Sequence, residues 1–129
     1  MITSKKMGKN YLYYSEDDNK NVRTCEQVVN SWDKAVNYVI EDASKNQNGL
    51  REAQLGAIFA TRAHWIVSDS VATIVMPTGT GKTETMITTI VAERFRRVFI
   101  LVPSDLLRKQ TVLTCAKLGI LKEIGVINK

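Results

Sequence analysis

The order of apolar and polar positions divides the chain into a polar start, a helical stretch, and a region where short apolar runs alternate with helical patterns. Residues 1–22 are polar except for the sequence YLYY at 11–14, and we expect them to form a loosely held arm. Within that arm, YLYY is predicted to be a short strand or an anchor on a partner.

An amphipathic helix and a loop are predicted over residues 23–49. Thr24 and Gln27 form a capping-box pattern, which is typical of a helix N-terminus. Apolar residues then recur at helical spacing, so the helix is predicted to continue to about Ala43. The sequence KNQNG at 45–49 is predicted to be the loop that follows it.

From residue 50 onward the pattern predicts an α/β fold. The apolar runs at 71–76 and 98–102 are rich in β-branched and aromatic residues, and a helical pattern separates them. We therefore predict buried strands of a parallel sheet with right-handed crossovers, preceded by the helical segment. The predicted elements in chain order are a helix over 50–67, a strand at 71–76, a helix over 84–94, a strand at 98–102, a helix over 105–118 and a third strand that begins in 125–128.

The composition is that of an ordinary globular protein. The chain has 129 residues, of which 44% are hydrophobic and 24% are charged, so we expect one domain with a core. Its net charge of +5 suits a nucleic-acid partner but is equally typical of a solvated surface. No apolar run approaches the roughly 20 residues of a membrane span, so no membrane association is expected.

Two cysteines and the N-terminal residues bear on the expected location of the protein. Cys25 and Cys115 fit no metal-binding spacing, and we interpret them as reduced thiols. The N-terminal lysines are not followed by an apolar stretch, so no signal peptide is predicted. Both observations favour a cytoplasmic protein.

The sequence MPTGTGKT at 76–83 joins the first predicted strand to the next helix, and its residues suit a bound phosphoryl group. Glycines allow a turn that points successive N–H groups inward, and the helix N-terminus adds the positive end of its dipole. Lys82 is predicted to reach the β- and γ-phosphates as the catalytic residue, and the Thr83 hydroxyl to ligate Mg²⁺. The predicted nucleotide-binding residues of this turn are Thr78, Gly79, Thr80, Gly81, Lys82 and Thr83.

Three segments together resemble the superfamily-two helicases and translocases. PTGTGKTE at 77–84 resembles their motif I, in which the first position of the phosphate-binding pattern is often Ala, so Met76 there is a mild departure. LVPSDLLRKQ at 101–110 resembles motif Ia, and LREAQLGAI at 50–58 resembles the segment that precedes motif I. The resemblance covers about residues 50–110 and is greater to the DEAD/DEAH-box and restriction-enzyme-like branch than to the eukaryotic RNA helicases.

The resemblance implies a fold of two RecA-like domains, with ATP between them and nucleic acid across their tops. Residues 50–129 would form the N-terminal part of the first domain, with ATP and Mg²⁺ as cofactors and Gln54 as the adenine contact. Arg51, one turn before Gln54, has two open interpretations, support of the nucleotide or exposure to solvent, and exposure is favoured. DNA is favoured over RNA, and a role in restriction or phage defence follows by analogy. The predicted nucleic-acid contacts are Pro103, Ser104, Arg108 and Gln110.

Hydrolysis of ATP requires carboxylates that hold Mg²⁺ and orient water, and the resembled family places an Asp-Glu pair in motif II. The only acidic residues after Lys82 are Glu84, Glu93, Asp105 and Glu123, and none follows an apolar strand as such a pair. We therefore expect an N-terminal piece of a longer ATPase, truncated before motif II and inactive alone. It would need the remaining chain or a partner subunit, or would self-associate. The alternatives are a non-catalytic nucleotide- or nucleic-acid-binding module and another P-loop enzyme.

Overall fold

A computed structural model describes residues 2–7, 10–15 and 23–128. Its elements in chain order are β1 (Ile2–Met7), β2 (Asn10–Ser15), α1 (Cys25–Ser31), a 3₁₀ turn (Ala43–Lys45), α2 (Glu52–Val67), α3 (Lys82–Ala92) and α4 (Asp105–Lys117). β1 and β2 form an antiparallel hairpin whose register runs from the pair Ile2–Ser15 to the pair Met7–Asn10. The strand predicted at YLYY is thus confirmed as part of β2, whereas most of SEDDNK lies outside the described residues.

Helix α1 begins at the predicted capping box but is much shorter than predicted. The backbone N–H of Thr24 donates to Gln27 Oε1 at 2.8 Å, and the N–H of Gln27 donates to Thr24 Oγ1 at 3.2 Å. The helix ends at Ser31, and Lys34 takes a positive φ of 51°. The prediction of a helix to about Ala43 is therefore wrong.

The residues after α1 pair with the C-terminal segment instead of continuing the helix. The N–H of Asn37 donates to the Val126 carbonyl at 2.8 Å, and the N–H of Asn128 donates to the Ala35 carbonyl at 3.0 Å. These bonds flank an isolated antiparallel bridge between Val36 and Ile127. The predicted third parallel strand is consequently also wrong, because this part of GVIN forms an antiparallel bridge to a segment far away in sequence.

Gly49 lies where two backbone segments come close together. The N–H of Leu50 donates to the Val39 carbonyl at 2.7 Å, and the N–H of Glu41 donates to the Leu50 carbonyl at 2.9 Å. A Cβ atom on Gly49 would lie 2.5 Å from the Val39 carbonyl oxygen. Glycine is required here by the close approach of two backbones.

The three longer helices agree closely with their predicted bounds. α2 starts two residues later than predicted, α3 starts two residues earlier, and α4 begins at Asp105 as predicted. Ser104 caps α4, since its side chain accepts the N–H of Leu107 at 3.3 Å. Among the described residues, no helix combines the length and apolar character needed to cross a membrane.

One apolar core joins segments from both ends of the described chain. α2 contributes Ile58, and α3 contributes residues of its buried face. The fully or almost fully buried core residues are Ala35, Leu50, Ile58, Ile87, Val91, Leu121, Val126 and Ile127. Because the last three follow α4, the C-terminal segment packs back beneath α2 and α3 and completes the core.

Arg94, just beyond α3, joins that helix to α1. Its Nε donates to the Val29 carbonyl at 3.2 Å, and Nη2 donates to Asn30 Oδ1 at 2.9 Å. Nη1 lies 3.3 Å from Asp33 Oδ1. Val29 and Asn30 belong to the last turn of α1, so a cation satisfies acceptors at the end of this short helix.

The predicted strands at 71–76 and 98–102 are not formed in the part of the chain that the structure describes. A strand in a sheet needs a neighbouring strand about 4.8 Å away. Neither segment has such a partner in the described residues. Several of their side chains are largely exposed, among them Val71 (90%), Val75 (89%) and Phe99 (86%). The predicted parallel sheet is therefore wrong for the described residues, because an apolar run can form a strand only where a partner strand is present.

The backbone approach at Gly49 gives the first prediction. Replacement of Gly49 by Ala forces the new Cβ into the Val39 peptide, and we expect a loss of about 1–3 kcal/mol in the free energy of unfolding. The measurement is urea denaturation monitored by circular dichroism.

The matched control for this prediction is Gly56→Ala. A Cβ on Gly56 would meet no atom within 4 Å, and the residue lies inside α2. Since Ala is the better helix former by up to about 1 kcal/mol, the control should be neutral or stabilising. Equal unfolding midpoints for the two variants would contradict the steric argument.

Candidate functional site

The glycine-rich turn between the first apolar run and α3 has the backbone angles that glycine favours. Gly79 and Gly81 both have a φ of 82°. Gly81 is the N-cap of α3, in the left-handed region with a ψ of 44°. Other L-residues adopt this conformation only at an energetic cost, so the sequence places glycine where the chain has to turn into the helix.

Two side chains of the turn are bonded to the same backbone oxygen. Lys82 Nζ donates to the Pro77 carbonyl at 2.8 Å, and Thr80 Oγ1 donates to that carbonyl at 2.7 Å. The turn is thus closed on itself, with the Lys82 ammonium held at the N-terminus of α3. This is the position from which the predicted contact to a phosphate would be made.

The backbone N–H groups of the glycine-rich turn and of the first residues of α3 provide a set of available hydrogen-bond donors. In the part of the chain that the structure describes, the N–H groups of residues 79–84 make no hydrogen bond of standard geometry, and that of Thr80 closes only a loose turn to the Pro77 carbonyl. The first backbone N–H groups of a helix have no partner within the helix and are a ready site for an anion. With the Lys82 ammonium beside them, these residues fit a bound phosphate group.

The Gln54 side chain reaches this turn and bonds to the backbone of the turn. The Gln54 side chain is only 6% exposed, and its Oε1 accepts the N–H of Arg51 at 2.8 Å. Its Nε2 donates to the Gly81 carbonyl at 3.1 Å. Both ends of the amide are therefore bonded within the protein, and the predicted contact to adenine remains a prediction.

Arg51 also reaches the turn, which the sequence reasoning missed. Its Nη1 donates to the Gly79 carbonyl at 2.7 Å, and its Nε lies 3.6 Å from Glu41 Oε2. The side chain is 57% exposed, so the expected exposure is correct but incomplete. The spacing from Arg51 to Gln54 could have indicated the contact, because residues three apart lie on the same side of a helix start.

A cavity of about 460 Å³ lies beside the turn and brings several of these residues together. Ile120 and Ile124 of the C-terminal segment provide its apolar wall. The other lining residues are Glu41, Asn48, Gly49, Arg51, Gln54, Gly79, Gly81 and Glu84. The arrangement offers an apolar surface and polar groups directly next to the glycine-rich turn.

A second cavity, of about 450 Å³, places Thr83 near α4. It is lined by Thr83 and Gln110 together with Leu107 and Thr111. The structure thus brings the predicted metal ligand close to one of the predicted nucleic-acid contacts. Thr78 and Pro103 are exposed in the turns that precede α3 and α4.

The remaining predicted nucleic-acid contacts lie at the start of α4, where charges are already paired. Ser104 serves as the N-cap, and the Arg108 guanidinium forms an ion pair with Asp105. Lys109 Nζ lies 3.4 Å from the same carboxylate. The Arg108 side chain is one-third exposed, and Asp105 partly neutralises its charge.

Several ionisable groups of the described residues lie outside the glycine-rich turn. Glu93 Oε1 lies 2.5 Å from Arg62 Nε, which links α2 to the end of α3. Burial raises the pKa of the half-buried Cys115 thiol, whereas Cys25 is exposed. Within the described ranges, no cluster of three or more His, Cys, Asp or Glu side chains could hold a metal ion.

Comparison with known proteins gives one match. A family model described as "Type III restriction enzyme, res subunit" matches residues 47–127, which is more than half of the chain. No curated protein and no solved structure matches. The matched region contains the glycine-rich turn, α2 to α4 and, apart from Glu41, the lining residues of the two cavities.

The two glycines of the turn give a prediction that separates backbone strain from steric contact. Ala at either position has to adopt a positive φ, which costs about 1–2 kcal/mol. At Gly81 the new Cβ would in addition lie 2.1 Å from Gln54 Nε2, whereas at Gly79 it would meet no atom within 4 Å. We therefore expect Gly81→Ala to lower the unfolding midpoint more than Gly79→Ala, measured by urea denaturation. A larger effect of Gly79→Ala would contradict this geometry.

Proposed function

Because the chain belongs to the family of type III restriction enzyme res subunits, we propose that it is the ATP-binding part of a nucleic-acid-dependent ATPase of the helicase or translocase class. The family match gives it a helicase- and ATPase-like domain related to restriction enzymes. The observation that carries the proposal is the turn from Pro77 to Gly81. Its available N–H groups and the Lys82 ammonium lie together at the start of α3, where both can donate to a phosphate. Family membership also favours a RecA-like P-loop fold.

The roles of the residues follow from their chemistry. The N–H groups of residues 79–84 and the Lys82 ammonium would bind the phosphates of ATP, and Lys82 would stabilise charge on the transferred phosphoryl group. The Thr83 hydroxyl would bind Mg²⁺, which supplies the positive charge that phosphoryl transfer needs. The apolar wall made by Ile120 and Ile124 would receive the base.

The start of α4 is the proposed nucleic-acid contact. A helix N-terminus offers N–H groups to a backbone phosphate, and Ser104 adds a hydroxyl next to Pro103. Arg108 and Gln110 lie on the following turns of the helix. We propose DNA in preference to RNA, in keeping with the relation to restriction enzymes, with Asp105 limiting the positive charge of this surface.

A second candidate function is nucleotide binding without turnover. It is favoured by the placement of three of the four carboxylates that follow Lys82 in the sequence. Glu93 is paired with Arg62 and Asp105 with Arg108, so neither carboxylate is free to bind Mg²⁺. Glu84 lies at the start of α3, where a negative charge interacts favourably with the helix dipole. We propose that the 129-residue chain binds ATP and that turnover requires further groups from a longer chain or a partner.

The nucleotide proposal predicts that the chain binds Mg-ATP and that Lys82→Ala weakens this binding. The loss of a charge-assisted contact to phosphate should raise the dissociation constant about 10- to 100-fold. Isothermal titration calorimetry measures this change, with Lys122→Ala as a control of equal charge. A wild-type chain that does not bind Mg-ATP would contradict the proposal.

The same proteins separate the two candidate functions when phosphate release is measured with and without duplex DNA. DNA-stimulated hydrolysis that Lys82→Ala abolishes would contradict binding without turnover. Absence of hydrolysis in a chain that binds Mg-ATP would agree with the second candidate.

The nucleic-acid proposal predicts that Arg108→Ala weakens binding to duplex DNA. The variant loses one cation at the start of α4, so the slope of log K against log salt should fall by about one. Fluorescence anisotropy at several salt concentrations measures both quantities. Lys122→Ala removes the same charge outside α4 and should leave the slope nearly unchanged; equal effects of the two variants would count against a contact at α4.

A further inference from the structure

We propose that Arg51 and Gln54 act as a carbonyl clamp, a pair of side chains that position the glycine-rich turn by bonding its Gly79 and Gly81 carbonyls. In this role Gln54 orients the turn and does not contact the base of the nucleotide. The inference rests on the proposed function, because the turn is positioned for a phosphate ligand. Arg51 and Gln54 lie one turn apart at the start of α2, and both side chains extend to backbone oxygens of the turn. Both are positioning residues, since they act on the ligand through the turn.

The clamp bonds two alternate peptide groups from the same side. Arg51 Nη1 donates to the Gly79 carbonyl at 2.7 Å, and Gln54 Nε2 donates to the Gly81 carbonyl at 3.1 Å. In a planar trans peptide, the carbonyl of one residue points opposite to the N–H of the next. A Gly79 carbonyl held toward α2 therefore directs the N–H of Thr80 away from α2, and a Gly81 carbonyl held there does the same for the N–H of Lys82.

This orientation is what a phosphate site needs. The N–H groups of Thr80 and Lys82 belong to the set that makes no hydrogen bond of standard geometry in the described chain. The clamp turns the acceptors of the turn toward α2 and leaves the donors on the other side. Without the clamp, rotation of the Gly79 peptide would place its carbonyl oxygen among the donors, where it would repel a phosphate, and the Gly81 peptide would be held by Thr85 alone.

The contact between Gln54 and Gly81 is close and buried. A Cβ on Gly81 would lie 2.1 Å from Gln54 Nε2 and 3.0 Å from Gln54 Cδ, so the amide packs directly against the glycine. The Gly81 carbonyl also accepts the N–H and the hydroxyl of Thr85, each at 3.0 Å. One carbonyl with three donors is strongly fixed, and the amide that supplies the third donor is bonded at its other end to the Arg51 N–H.

Arg51 contributes the second, more exposed half of the clamp. Its guanidinium is 57% exposed and is also oriented by the Glu41 carboxylate at 3.6 Å. An exposed bond of this kind contributes less than the buried bond of Gln54. We therefore expect Gln54 to dominate and Arg51 to add a smaller effect of the same sign.

Comparison of two ligands distinguishes a clamp from a base contact. Mg-ATP and Mg-tripolyphosphate both carry a chain of phosphates, but tripolyphosphate carries no base. A residue that reads the base affects only the first ligand, whereas a residue that positions the turn affects both equally. Calorimetric titration of both ligands therefore separates the two roles.

The variants are Gln54→Met and Arg51→Lys, with Gln27→Met as the matched control. Methionine has nearly the shape of glutamine without its hydrogen bonds, and Lys keeps the charge of Arg51 while losing the planar guanidinium. Gln27 has the same capping role in α1 as Gln54 has in α2, but its two capping bonds are to Thr24. Its replacement controls for the lost cap.

We expect Gln54→Met to weaken both ligands by the same factor, about tenfold. Arg51→Lys should weaken both by a smaller common factor, and Gln27→Met should change neither. A Gln54→Met variant that loses affinity for Mg-ATP but keeps affinity for Mg-tripolyphosphate would overturn the clamp in favour of a base contact. If Gln54→Met fails to fold in a thermal melt, the exposed Arg51→Lys decides by the same comparison.

Amide hydrogen exchange of the unliganded protein tests the clamp without any ligand. Gln54→Met should speed exchange of the Thr85 N–H, which donates to the Gly81 carbonyl, more than Gln27→Met does, because that carbonyl loses one of its three donors. Unchanged exchange at Thr85 would overturn the clamp. Wild-type protein that binds neither ligand would instead refute the proposed function, and the exchange experiment would still test the clamp.

Discussion

The carbonyl of Gly81 is the point on which the arrangement of the site depends. It accepts two bonds from Thr85 and one from Gln54, so it joins the first turn of α3 to the start of α2. Gly81 can occupy this position because it takes a positive φ and has no Cβ to displace the Gln54 amide. The start of α3, the end of the preceding turn and the start of α2 are thus bonded at this one peptide group.

The core supports this junction from below through contacts between distant parts of the chain. Leu50 is fully buried directly before α2, and Ile87 and Val91 are buried on α3. Leu121 and the residues around Val126 return from the C-terminal side to close the core. The cavity beside the turn takes its apolar wall from the same C-terminal segment, so packing and site geometry are coupled.

Features that depend on neighbouring residues could be predicted from the sequence. The capping box at Thr24, the N-cap at Ser104 and the bounds of α2 and α4 rest on interactions within a few residues. The glycine-rich pattern and the helical pattern after it identified the turn for the same reason, although the strand predicted before it is not formed. The resemblance to helicases agrees with the family match.

Features that depend on distant partners could not be predicted. Val36 and its neighbours have a helical spacing, but they pair with residues near Ile127, and no local pattern specifies that pairing. The run at 98–102 has strand-like composition, yet a strand also requires a neighbour to bond with. The contacts of Arg51 and Gln54 to the turn likewise span more than 25 residues of sequence.

The bond from Lys82 to the Pro77 carbonyl occupies one donor of the ammonium that would bind a phosphate. An ammonium carries three N–H donors, so one of them can hold the Pro77 carbonyl while the other two remain for a phosphate. A phosphate that needs the Pro77 donor as well has to replace the carbonyl oxygen. The affinity of this turn therefore depends on how many of the three donors a ligand uses, and the internal bond fixes the position of the lysine before any ligand binds.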